Sequence, residues 1–212
     1  MKFTLKVMTL LMAMFMTINA EDAKTKNPVV VLETTEGIIE LELYPNVAPK
    51  HVANFLELTN KGFYNGVIFH RVIDGFMIQG GDPTGTGMGD SGTKVPAEFN
   101  DSLHHAGTLS MARSQDPNSA SCQFFICLAP QASLDHKYTV FGNTIKGFDV
   151  VQKIGKAPTS GNMGRIQRDA AWKAELLKQK EAGADVKLDP QGNPAPDRPL
   201  KTVKIIKASV KK

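Results

Sequence analysis

The chain has 212 residues, 42% of them hydrophobic and 22% charged, with a formal charge of +4. That length buries one domain well and two only marginally, and the composition is that of an ordinary globular protein. Lys2 and Lys6 fall in a segment expected to be removed and residues 1–20 hold no acid, so the mature charge would drop to +2 and excludes a polyanion as the natural partner.

The first twenty residues read MKFTLKVMTLLMAMFMTINA. Two lysines, an apolar run from Val7 to about Ile18, and Asn19-Ala20 before Glu21 have the three-part pattern of a secretory signal cleaved after Ala20. The run is too short to cross a bilayer, which needs roughly 20 apolar residues, and no cysteine follows it to carry a lipid. Stable membrane insertion is therefore not expected. Residues 21–27 are a polar leader.

Val29–Leu32 and Gly37–Leu43 predict a hairpin around Thr34-Thr35-Glu36, the second strand alternating apolar and acidic side chains. Pro49 opens a helix with Val52, Phe55, Leu56 and Thr59 on one face, and Gly62 stops it. Short apolar runs follow at 67–69, 76–78, 108–111, 124–126 and 138–141, then a second short helix over Phe148–Ile154. Many short strands with two helices predict a closed eight-stranded antiparallel barrel, which would leave no free edge. A helix is expected over 166–182, carrying the only tryptophan, Trp172, and a proline-rich loop over 188–199. Residues about 163–198 then read as an insertion before a last strand near 202–207, all within one domain spanning 28–212.

The two cysteines, Cys122 and Cys127, lie in the run CQFFIC. In one extended strand they would sit roughly 16 Å apart on opposite faces, whereas a disulfide needs Cα atoms within about 7 Å. They are expected to be buried thiols, and the fold to do without a covalent staple.

Three segments carry the chemistry: Phe69-His70-Arg71-Val72-Ile73-Asp74-Gly75-Phe76-Met77-Ile78-Gln79-Gly80-Gly81-Asp82, Met111-Ala112-Arg113 and Cys122-Gln123-Phe124-Phe125-Ile126, followed by Leu134-Asp135-His136-Lys137-Tyr138-Thr139-Val140-Phe141-Gly142. Together they closely resemble the cyclophilin family of prolyl isomerases, from about Val29 to Ile154 and again at the last strand. The resemblance implies a barrel capped by two helices, no cofactor or metal, and extended or unfolded proline-containing polypeptides as substrate. It makes Arg71 catalytic, with Gln79 and Gln123 supporting by hydrogen bonds. Phe76, Met77, Phe125 and Leu134 would hold the proline ring, and Ala112 and the Arg113 backbone would line the substrate groove.

The residue types suit that reaction. An X–Pro amide turns over a barrier of about 18–20 kcal/mol without help. Twisting it localises a lone pair on the prolyl nitrogen, which a fixed cationic fork such as arginine can stabilise. Period two puts Met77 with Gln79, and Gln123 with Phe125, on shared strand faces, while Phe124 in the opposite phase is expected in the core.

The chain departs from the familiar cytosolic members at several positions. Arg113 stands where asparagine is usual, the loop before Gln123 is one residue longer, Ser133 replaces a tryptophan associated with tight cyclosporin binding, and Tyr138 replaces a pocket histidine. These departures imply weak cyclosporin binding and a likeness to bacterial exported members, hence the periplasm, with secretion as second choice. The protein is expected to be a monomer.

Other readings are weaker. The run Gly85–Gly92 lacks the lysine of a phosphate loop and reads as a flexible turn. His104-His105, His51 and His136 lack ligand spacing and read as structural or surface residues. Ser133 and Asp135 form no hydrolytic triad. A proline-binding holdase without turnover is the alternative function; it would need the apolar pocket but not the cation of Arg71.

Overall fold

The computed structural model describes residues 26–159 and 197–211, together with Ala174 and Lys178. The expected signal at 1–20 and the expected helix over 166–182 lie outside the described residues, save for Ala174 and Lys178, which are helical.

β1 (Val29–Thr34) and β2 (Gly37–Leu43) form the predicted hairpin, in register from Val29 opposite Glu42 to Thr34 opposite Gly37. Thr34 secures the turn: its hydroxyl donates to the Gly37 carbonyl and accepts from the Glu36 and Gly37 amides. α1 (Pro49–Asn60) follows with proline in its first turn. It buries His51, Val52, Phe55, Leu58 and Thr59. No side chain of its own caps its amino end; Glu98, from a distant loop, accepts from the Lys50 and His51 amides instead.

β3 (Arg71–Ile73), β4 (Met77–Gly80), β5 (Thr108–Met111), β6 (Phe124–Cys127), β7 (Val140–Lys146), α2 (Phe148–Gly155) and β8 (Ile205–Val210) complete the described elements. The sheet order is β3-β4-β6-β5-β7-β2-β1-β8, and neighbouring strands run antiparallel throughout.

The closed barrel expected from the strand pattern is not formed: the sheet is an open half-barrel. Its end strands β3 and β8 do not pair. β3 is only three residues long, and its Val72 amide donates to the carbonyl of Asp197. Residues 66–69 lie beside 203–205 instead, through Gly66 N–H to Ile205 O, Ile205 N–H to Val67 O and Phe69 N–H to Val203 O. Edge groups are thus satisfied locally rather than by closure.

The two ends of segment 160–196 meet at a stem, where Thr159 bridges Pro199 and the Leu200 amide donates to the Pro158 carbonyl.

The main core lies between the sheet and the helices. Phe55 is its centre, with ring centroids 5.0 Å from Tyr64, 5.4 Å from Phe124 and 5.3 Å from Phe141. Edge-to-face arrangements such as Phe55–Phe124 add to what the buried area supplies. A smaller apolar cluster of Met77, Phe125 and Cys127, with Ile73, Phe76, Ala112, Leu134 and Tyr138 against it, is separate from that core. β6 divides the two: Phe124 and Ile126 face the core, Phe125 and Cys127 the second cluster. Cys122 and Cys127 are free and buried, and burial pushes their thiols up to about 11 and about 12.

Gly81 shows why the motif needs glycine. Its φ is +88°, and an added Cβ would collide with the Cys122 carbonyl oxygen and come within 3.1 Å of the Gln123 Cα. Gly81→Ala is expected to lower unfolding free energy by at least about 2 kcal/mol in urea titrations, from left-handed strain and the forced separation of these two segments; an unchanged midpoint would contradict this.

His70, 2% exposed, has no hydrogen-bond partner for either ring nitrogen among the described residues, and burial pushes its pKa down to about 4. The unfolded chain takes up that proton near pH 6.5 and the folded chain does not. Stability is therefore full above about 6.5 and falls as pH drops toward 4, by about 3 kcal/mol for this group. Burial lowers His51 and His104 as well, adding in the same direction. Urea midpoints at pH 7.5 and 4.5 should differ by less in His70→Gln than in the wild type; equal differences would remove His70 from the account.

Candidate active site

The site is built where β3, β4 and β6 lie side by side. Arg71 opens β3 opposite Gln79 of β4, and Gln79 is opposite Phe125 of β6. Three long polar side chains thereby meet on one sheet face with an aromatic ring beside them.

Their orientations follow from one end of a chain of hydrogen bonds. The Gln123 amide nitrogen donates to two backbone carbonyls, Gly87 O at 3.0 Å and Gly89 O at 2.9 Å. A carbonyl can only accept, so the Gln123 oxygen is left facing Gln79. Gln79 Nε2 donates to it at 2.9 Å, which turns the Gln79 oxygen toward Arg71. Arg71 Nη1 lies 3.4 Å from that oxygen, and Arg71 Nε lies 3.6 Å from Asp197 Oδ2. The guanidinium is held from two sides yet remains partly exposed, with 43% of the side chain accessible.

Beside it opens a cavity of about 170 Å³ lined by Arg71, Phe76, Met77, Gln79, Ala112, Arg113, Phe125, Leu134 and Tyr138. The structure thus brings nine of the ten sequence-predicted residues around one pocket. The tenth, Gln123, lines a neighbouring cavity of about 330 Å³ with Gly87, Met88, Gly89 and Ser121, a space that Gln79, Ala112 and Arg113 also border. The Ala112 amide donates to the Gln123 carbonyl, which fixes the groove wall to β6's entry.

Arg113 does more than its backbone was expected to do. Its guanidinium lies 4.6 Å from the Tyr138 ring centroid and donates to the carbonyls of Lys137, Ser114 and Gln115. Two of the departures noted in the sequence are therefore one arrangement: the arginine stacks on the tyrosine and ties the loop after β5 to the loop before β7.

Three supports were not legible beforehand. Asp197 comes from the proline-rich loop and has no local signature of its role. The run Gly85–Gly92 is no loose turn: Asp82, 1% exposed, accepts from the Thr84 amide and hydroxyl with Oδ1 and from the Thr86 and Gly87 amides with Oδ2. Those hydrogen bonds outweigh the opposing effect of burial and hold the carboxyl below its usual range. Asp82 in turn places the Gly87 carbonyl that anchors Gln123. His104 lies directly behind the pocket, where its ring stacks on Phe125.

Two histidines have close carboxylate partners. His51 Nδ1 lies 2.7 Å from Glu98 and His104 Nδ1 2.9 Å from Asp135. His136 is exposed, at φ 58°. Ser133 is exposed in the turn Ala132–Leu134.

Comparison with known proteins agrees with this arrangement. The profile of the family described as "Cyclophilin type peptidyl-prolyl cis-trans isomerase/CLD" matches residues 29–173. The chain is 50% identical over 160 residues to peptidyl-prolyl cis-trans isomerase-like 1 of Neurospora crassa, covering 73% of this chain and 98% of that protein. It is 54% identical over 114 residues to a peptidyl-prolyl cis-trans isomerase of Synechococcus elongatus, covering 54% and 78%. A crystal structure of a cyclophilin type peptidyl-prolyl cis-trans isomerase of Cryptosporidium parvum superposes with TM-score 0.68 at 28% identity, covering 88% of this chain and 98% of that one. The same protein in the presence of the dipeptide Ala-Pro gives TM-score 0.67 at 29% identity, covering 87% and 99%. With its open half-barrel, its apolar pocket and the arginine held at the pocket's edge, the chain belongs to the cyclophilin-type peptidyl-prolyl cis-trans isomerases.

Proposed function

We propose that this isomerase acts on X–Pro bonds of extended or unfolded polypeptides outside the cytoplasm, with Arg71 as its catalytic residue. The observation that carries the assignment is the guanidinium pinned between Gln79 and Asp197 at the edge of an apolar pocket. A proline ring seated against Phe76, Met77, Phe125 and Leu134 puts its nitrogen within reach of that cation. The use of Ala-Pro with the Cryptosporidium parvum relative supports a proline-sized occupant.

The chemistry is preferential binding of the twisted amide. Rotation breaks the amide resonance, the nitrogen becomes pyramidal, and its lone pair can accept from Arg71. In the planar ground state that lone pair is delocalised and offers a poor acceptor, so the contact is worth more in the transition state than before it. No proton has to move and no covalent bond has to form. The relay from the Gly87 and Gly89 carbonyls holds the cation in place in advance, which removes the cost of organising it during the reaction.

Export is supported by the lysines, apolar run and Asn19-Ala20 boundary of residues 1–20. The periplasm is the compartment proposed, with folding of exported chains as the role and monomers as the acting form. Weak cyclosporin binding follows from the small, exposed Ser133 and the Arg113–Tyr138 stack at the rim.

Purified residues 21–212 should accelerate X–Pro isomerisation in a peptide, and Arg71→Ala should lose about a hundredfold in kcat/KM, equivalent to about 2.7 kcal/mol of transition-state preference. Arg71→Lys, which keeps charge but not the fork, should fall between them. Wild type and Arg71→Ala equally slow, with peptide still bound, would replace catalysis by simple holding.

The protein recovered from the source cell's extracytoplasmic fraction should begin at Glu21 on amino-terminal sequencing. Recovery in the cytoplasm with Met1 retained would refute the export reading.

A further inference from the structure

His104 is 1% exposed and lies outside the pocket, behind it. Its ring is nearly parallel to Phe125, with an interplanar angle of 10° and centroids 5.9 Å apart. Its Nε2 lies 3.0 Å from the hydroxyl of Ser110, the residue opposite Phe125 in the β5–β6 ladder. The back of Phe125 is thus set by one imidazole and the strand position that imidazole touches.

The same residue holds the opposite wall. Leu134 is carried by the turn Ala132–Leu134, which is bracketed by Gln131 and Asp135. The Gln131 amide donates to the His104 carbonyl at 2.8 Å. Asp135 Oδ1 accepts from the His104 backbone amide at 2.8 Å and lies 2.9 Å from Nδ1. Both ends of the turn are therefore bound to His104, through three hydrogen bonds. A carboxylate can only accept, so Nδ1 carries a proton, and Nε2 is left to face the Ser110 hydroxyl. Burial holds the histidine below its usual pKa against the opposing pull of Asp135.

We propose that His104 is a positioning residue for the isomerisation, fixing from behind the spacing between Phe125 and Leu134 and so the fit of the pocket to a proline ring. This rests on the pocket assignment made above. The geometry favours it over simple core filling because a filler would need neither the link to both flanks of the turn nor the parallel stack. Pocket walls grip the proline ring before and during rotation alike, so loosening them weakens binding of ground state and transition state together.

The test is a KM-against-kcat split. His104→Phe keeps an aromatic face but deletes both side-chain hydrogen bonds. It should raise KM for an X–Pro peptide about tenfold while kcat stays within about twofold. Arg71→Ala should do the reverse and lower kcat. In methyl and aromatic NMR, the Leu134 methyls and Phe125 ring protons should shift and broaden in His104→Phe while distant core signals hold.

Asp135→Ala cuts the same link from the partly exposed side, so the test survives if His104→Phe fails to fold. Asp135→Asn, whose amide oxygen still accepts, should restore KM to within about threefold of wild type. Unchanged KM and unchanged Leu134 methyls in folded His104→Phe or Asp135→Ala would overturn the proposal. A KM that rises in Asp135→Asn as much as in Asp135→Ala would overturn it too. An Arg71→Ala that kept full kcat would count against the catalytic assignment and leave the KM result to decide this one.

Discussion

The structure depends on a strand that must be apolar on both faces. β6 runs through the middle of the sheet's first half, with the main core on one side and the pocket cluster on the other. Because side chains alternate, Phe124 and Ile126 go to the first and Phe125 and Cys127 to the second. Slipping the register by one residue would exchange the two sets and destroy core and pocket together. The aromatic packing around Phe55 therefore protects more than stability. It fixes which face Phe125 presents, and with Phe125 the position of Gln79 opposite it.

On that platform the polar part is assembled by directionality rather than by charge. The Gly87 and Gly89 carbonyls admit one orientation of Gln123, which admits one of Gln79, which presents an oxygen to Arg71. Each link is a neutral or singly charged hydrogen bond of ordinary strength. Their value lies in leaving the guanidinium few alternatives before substrate arrives.

Much of this was legible in the sequence, for physical reasons. The hairpin, both helices and most strands show as period-two or helical patterns, since each buries one face against a single core. Membership of the pocket was legible through the family resemblance, because the residues that carry it lie in a few unbroken runs and the run around Arg71 is long. What was missed has a different origin. Asp197 reaches Arg71 across the fold from a loop with no periodicity. His104 looked like a surface or structural histidine because its partners, Asp135 and Ser110, become neighbours only when β5 and the 131–135 turn are in place. The glycine run looked loose because the organising group, Asp82, belongs to the preceding motif. Closure of the barrel was overestimated because strand count does not reveal that β3 has only three residues and that residues 66–69 lie beside 203–205 in its stead.

The stem formed by Pro158, Thr159, Pro199 and Leu200 has a consequence for how such a protein can change over time. A loop whose ends are already held together costs only about 0.6 kcal/mol more for each doubling of its length. Related chains can therefore lengthen, shorten or replace the stretch between 160 and 196 at small thermodynamic cost, provided the stem survives. Asp197 lies just inside the stem, two residues before Pro199, and holds Arg71 from there. Change that spares both the stem and Asp197 leaves the arginine's second anchor in place, whereas change that reaches Asp197 would loosen the guanidinium itself.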